Sequence, residues 1–511
     1  MTFTIGISSG IWIKGAKDSE NYAGLSKKIY SSIKYGVNFI QLDIQQLTEF
    51  LEPNLKAEIE KIQASGYTFG MHGECGAFGT PVSLDSSIEF EYKMVNEQVK
   101  RHIKEAAEYK SKYVLFHSSE STPFTTPTRD FKELRLVDPW GRPFDKFLEK
   151  NPKILEKAIR NKYFEDIVFR GKLADEIEEN TKGRLRQYRI AKKENENIPT
   201  ENEIRKAIEE ELIEQRKKHL TNFVVSGSTF YLPDRISYPM IAMYMEEKRH
   251  PLWESFTGGK NFDDIIDKIE IWVPAVAAMY IAGHFEDKNV YGSLKKEIEK
   301  NKMLLVFETP MAQLGAEMYM RLSKLKQIYN LVDYVKSDYI GVAIDFEHLL
   351  TSNLDPKKEI EELPWDAGKK VRVIHTGAPV AYSQAHMAID VGSDAQKYIY
   401  ERLWELKQKR FNDAYIIYER AGEEGIRSSI LSLRLIKEFL DRSVPPKELP
   451  LEFYGLQDKG PELRRQELTI NQHALDPLKG MLTVPEEEHG FFSTQAVKKG
   501  KGKEWGEEEY K

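Results

Sequence analysis

Short apolar runs recur along the chain at residues 3–7, 37–42, 67–71, 113–116, 303–307, 339–344, 371–374 and 414–418. Each has the length and composition of a strand. Between them lie stretches with apolar residues every three or four positions, at 21–34, 47–64, 86–109, 313–332, 394–408 and 425–440, and these predict helices. Gly36 and Gly66 stand where the first two helices should stop. Strand followed by helix, repeated, argues for parallel strands joined by helical crossovers. Eight such strands predict an α/β protein, a (β/α)8 TIM barrel.

The rhythm breaks between the fourth and fifth strands. Residues 121–300 are mostly charged and helical in pattern, 203–219 most clearly, with a loop-like stretch at 225–239. The apolar stretch 271–283 contains Pro274 and is too short to span a bilayer, so a buried helix is expected there. The expected organisation is a first half-barrel at 1–120, a helical insertion at 121–300 acting as a lid or partner-binding element, a second half-barrel at 301–444, and a C-terminal extension at 445–511. The insertion is the expected place for a protein partner or self-association. The lysine- and glutamate-rich end of the extension has the composition of a disordered tail.

Composition narrows the class. Lys and Arg number 75 against 81 Asp and Glu, a net charge of −6, which argues against a surface coated in basic groups. Cys75 is the sole cysteine, so neither a disulfide framework nor a cysteine zinc site is expected. The N-terminal residues lack the pattern of a signal peptide. A cytoplasmic protein without a membrane segment is expected.

The chemistry lies at the strand ends. Six of the eight runs end in a residue able to bind a divalent metal: His72, His117, Glu308, Asp345, His375 and Glu419. In a barrel of this class the C-terminal ends of all strands share one mouth, so residues far apart in sequence become neighbours. His348 follows Asp345 by three residues, on the turn beyond the sixth strand. Mixed imidazole and carboxylate ligands suit Zn²⁺, Mn²⁺ or Fe²⁺ better than Mg²⁺ or Ca²⁺.

These motifs carry a resemblance. The segments M-H-G-E (His72), L-F-H-S-S-E-S (His117), L-V-F-E-T-P (Glu308), A-I-D-F-E-H (Asp345, His348), V-I-H-T-G-A (His375) and I-I-Y-E-R-A-G (Glu419) resemble the xylose isomerase-like TIM barrels, and most of all their endonuclease IV branch. The resemblance covers roughly residues 1–120 and 300–440. It implies three zinc positions: His72 and His117 with a bridging Glu308, then Glu308 with Asp345, His375 and Glu419, then His348 with His386. Gln384 occupies the place of the family's remaining acid, so the third position lacks a ligand. Two zinc ions, or three, are therefore expected, with Mn²⁺ as the other candidate. Glu74, Glu120 and Glu347 are further acids near these motifs, expected to orient a ligand histidine or face water.

Two activities follow from the resemblance. One is a metal-dependent phosphodiesterase of DNA repair, hydrolysing DNA at abasic sites with metal-activated hydroxide. The other is a metal-dependent sugar isomerase or epimerase in which Glu308 and Glu419 hold the metal and exchange the proton. The first expects DNA as substrate, the second a small sugar or phosphorylated compound. A non-catalytic, partner-binding role of the insertion is the third reading.

Overall fold

Eight parallel strands close on themselves in chain order: β1 (Thr2–Ser8), β2 (Phe39–Asp43), β3 (Thr68–His72), β4 (Tyr113–His117), β5 (Leu304–Glu308), β6 (Ile340–Asp345), β7 (Val371–Thr376) and β10 (Asp413–Tyr418). All eight neighbouring pairs are parallel. The structure, a computed structural model, describes residues 2–10, 24–73, 82–119, 135–167, 179–180, 183–184, 186–187, 190, 200–226, 234–310, 321–380, 383–419 and 425–456. The eight apolar runs of the sequence are these eight barrel strands, their ends moved by one or two residues. A short antiparallel hairpin, β8 (Ala378–Val380) and β9 (Ser383–Met387), follows β7 and was not expected.

Side-chain alternation sets what the barrel encloses. A central layer of Phe39, Tyr113, Leu115, Val306, Ala343, Val373 and Ile417 is buried, with Leu304 and Tyr415 packed on it. Successive strand residues point to opposite faces, so the residue two places further on returns to the interior. Two places beyond Phe39, Leu115, Val306, Ala343, Val373 and Ile417 stand Gln41, His117, Glu308, Asp345, His375 and Glu419. The polar layer at the mouth thus shares its facing with the apolar layer beneath it. That is why residues from distant sequence positions converge.

The helices depart from expectation in detail. The 47–64 stretch divides into a 3-10 turn, Leu47–Leu51, and a helix, Leu55–Ala64. Pro53 and the left-handed Asn54 (φ 64°) interrupt it. Residues 234–239, expected in a loop, begin the helix Asp234–Glu247 with Pro239 inside it. There the proline withholds only one amide, the one that the Arg235 carbonyl would accept. The helix Ile269–Phe285 is buried nearly all round, as expected of the apolar 271–283 stretch. The 26-residue helix Glu201–Ser226 has its charged side chains mostly exposed.

A buried charge cluster ties the Asp234–Glu247 helix to the segments that follow β3 and β4. The Arg321 guanidinium pairs with Asp234, donates to Tyr238 Oη at 3.2 Å, and lies 4.0 Å from Asp85. Asp85 in turn accepts from Ser119 Oγ at 2.8 Å. The described residues up to 449 form one compact unit, and those from 450 on belong to a second. Of the second, the described residues make a 3-10 turn, Leu451–Tyr454. Cys75, Glu74, Glu120 and the expected disordered tail lie outside the described residues. Among those described, no helix is long and apolar enough to cross a membrane.

Candidate metal centre

Strand register brings the acids and imidazoles into contact. His117 pairs with Glu308 across β4 and β5, and Asp345 with His375 across β6 and β7. Glu419, just past β10, donates its amide to the Thr376 carbonyl at 3.0 Å. Two donor groups result, each with its ligand atoms within 4.8 Å of one another: His72, His117 and Glu308; and Glu308, Asp345, His375 and Glu419. Glu308 belongs to both.

Glu308 is fully buried, and its two oxygens face different partners. Oε2 lies 3.2 Å from His72 Nε2 and 3.5 Å from His117 Nε2. Oε1 lies 2.5 Å from His375 Nδ1 and 3.9 Å from His348 Nδ1. On the other side, His375 Nδ1 is 3.4 Å from Glu419 Oε2 and 3.9 Å from Asp345 Oδ2.

The second nitrogen of each ring shows which atom faces the acids. His72 Nδ1 lies 2.9 Å from the Gly73 carbonyl, which can only accept, so Nδ1 carries the proton and Nε2 turns toward Glu308. His348 Nδ1 likewise meets the Thr309 carbonyl at 2.8 Å, and its Nε2 lies 3.7 Å from Asp345 Oδ2. Both Glu308 oxygens, His375 Nδ1 and Glu419 Oε2 are buried and sit in no hydrogen-bond geometry among the described residues. Lone pairs converging on buried acids call for a cation between them. The cluster therefore fits a divalent metal ion, and its mixture of nitrogen and oxygen donors suits Zn²⁺ or Mn²⁺.

Without a cation, the acids and imidazoles perturb one another strongly. Burial pushes Glu308 up, but His375, His72 and His117 override it and hold its carboxyl well below the usual range. Burial raises Glu419 to about 7 against the pull of His375 and His386. Burial alone would lower His375, yet Glu308 and Glu419 lift it to about 9. His348 is lowered, chiefly by burial.

His386, assigned by resemblance beside His348, lies on β9 with φ 42°. Its Nδ1 is 3.1 Å from Glu347 Oε2 and 3.9 Å from Glu419 Oε2. No group of three donors containing His348 or His386 comes together among the described residues. Gln384 lies on the same strand. Gln41, which accepts from His375, escaped the sequence reading, whereas Glu347, expected to orient a histidine or face water, holds His386.

No protein-family model matches the chain, and no curated protein matches its sequence. Solved structures are similar in fold at low identity. A D-tagatose 3-epimerase-like protein is 12% identical, with 86% of this chain and all of that one covered and a TM-score of 0.41. The D-allulose 3-epimerase from Methylomonas sp. is 7% identical, with 85% and 97% covered and a TM-score of 0.42. The IolI protein with a bound zinc atom is 10% identical, with 85% and 96% covered and a TM-score of 0.39.

Proposed function

We propose that this protein is a metal-dependent isomerase or epimerase of a small sugar or related keto compound. One observation carries the reading. Four consecutive strands, β5, β6, β7 and β10, each bring one donor to a single point, with the two glutamates at the ends of the row and Asp345 and His375 between them. The four fit one divalent ion, which would polarise a substrate carbonyl and acidify the neighbouring C–H. Glu308 and Glu419 are then two carboxylates on opposite sides of one position. One takes the proton from carbon and the other returns it, so the C–H bond broken on one face is re-formed on the other.

A second reading has its own observation. His72 and His117 both address the Glu308 oxygen that faces away from the quartet, an arrangement suited to a carboxylate bridging two cations. That supports the phosphodiesterase implied by the endonuclease IV resemblance. The deciding experiment has two arms. Purified protein is analysed for metal per chain, and it is incubated in D₂O with a panel of ketoses and, separately, with a duplex carrying one abasic site. Metal-dependent entry of solvent deuterium at a carbon next to a ketose carbonyl supports the isomerase. Two or more zinc ions with strand incision and no exchange overturn it in favour of the hydrolase.

A further inference from the structure

Across the barrel from the quartet, starting on β2, a chain of buried side chains ends on the outer nitrogen of His375. His375 Nε2 lies 2.8 Å from Gln41 Oε1. The same oxygen accepts from Tyr113 Oη, also at 2.8 Å. The Gln41 amide nitrogen donates to Asp43 Oδ1 at 3.1 Å. Asp43 is fixed in turn: its Oδ2 accepts from the Gly10 amide at 2.7 Å and from Ser9 Oγ at 3.3 Å, and its own amide donates to Ser9 Oγ at 2.9 Å. Gln41, Asp43, Tyr113 and His375 are all buried. Strand β3 leaves room for the tyrosine: a Cβ on Gly70 would lie 2.3 Å from Tyr113 Cζ.

This order has one consistent proton arrangement. The Gln41 NH₂ donates to Asp43, which leaves the Gln41 carbonyl facing both His375 and Tyr113. A carbonyl only accepts, so Nε2 of His375 carries the proton. The nitrogen turned to the cation site is then Nδ1, the atom 2.5 Å from Glu308 and 3.4 Å from Glu419, and an ion there takes the place of the proton it shares with these acids. We infer that Gln41, oriented by Asp43 and steadied by Tyr113, is the positioning residue that commits His375 Nδ1 to the cation site.

The inference rests on the metal reading of the quartet, and its test separates the two. In the full-length, metal-free wild type the Nε2 proton of His375 is expected as a downfield, slowly exchanging NMR resonance. Gln41→Leu shifts or loses it. Its absence from the wild type overturns the inference whatever the metal content. In calorimetric titrations with Zn²⁺ and Mn²⁺, Gln41→Leu binds about 10- to 100-fold more weakly than the wild type. A folded Gln41→Leu protein that binds within about twofold of the wild type also overturns it. Asp43→Asn, which lets the Gln41 amide turn, shows a smaller loss in the same direction and carries the test if Gln41→Leu does not fold. A wild type that binds neither ion refutes the quartet reading, and the proton resonance still decides the role of Gln41.

Discussion

The buried carboxylate of Glu347 holds both ends of a single residue, His386: its Oε2 accepts the backbone amide at 3.2 Å and faces ring Nδ1 at 3.1 Å. Its other oxygen, Oε1, is in no hydrogen bond among the described residues, in space that Gly377 leaves open, since a Cβ there would lie 2.5 Å away. Glu347 thus anchors the β8–β9 hairpin to the short helix after β6, Phe346–Thr351. Glu347→Ala is expected to keep the fold while the His386 amide exchanges about tenfold faster or more, the cost of losing a charged acceptor. Hydrogen exchange resolved to His386 measures it, and an unchanged rate refutes the anchor.

Glu308 stands in both donor groups and His72 in only one. Glu308→Gln should therefore abolish tight cation binding altogether, with affinity down by at least about 100-fold. His72→Gln should leave the quartet's ion in place. Metal per chain after dialysis against a weak chelator distinguishes the two, and equal losses in both variants would show that the groups are not separable.

Acid stability is expected to depend on two histidines outside the site. Burial pushes His102 down to about 4 and His284 to about 3. His102 Nδ1 meets the Gln98 carbonyl at 2.9 Å, and His284 Nδ1 faces the Asn96 amide nitrogen at 3.0 Å while its ring stacks on Tyr92. Both are neutral in the fold and take up protons near pH 6.5 once unfolded. Their contribution is whole above that pH and is lost as pH falls toward 4. Each adds up to about 1.4 kcal/mol per pH unit in that window. Urea unfolding between pH 7 and 4.5 should show this slope, and His284→Leu should flatten it if that variant folds.

Arg321 is buried between Asp234 and Asp85. Arg321→Met leaves the buried Asp85 and the partly buried Asp234 without their cation and is expected to cost about 3–5 kcal/mol in unfolding free energy. Adding Asp234→Asn should restore part of that loss. A single variant as stable as the wild type would mean the cluster ties nothing together.

Much of the site could be read in the sequence because strand ends are conspicuous. A run such as Leu304–Phe307 stops being apolar at Glu308, and the barrel turns that stop into an address. Gln41 escaped because glutamine neither titrates nor usually ligates metal. Its only signal is alternation, two places beyond the buried Phe39. The β8–β9 hairpin escaped because residues 378–387 hold Pro379 and no steady alternation, and its register is irregular. The break at Pro53–Asn54 was in view, yet the apolar spacing on either side of it reads as one helix. Whether His348 and His386 share an ion depends on side-chain placement, which spacing along the chain does not encode.

The β4–β5 pairing has a consequence for assembly. It joins Tyr113–His117 to Leu304–Glu308, so the barrel closes at this seam only after the helices between them have been looped out. The cost of such a closure grows slowly with length, yet here the loop holds roughly 190 residues. His72 and His117 lie on one side of the seam and Glu308 on the other. An ion shared by these three would work as a cross-link, drawing the two halves of the chain together and resisting their separation.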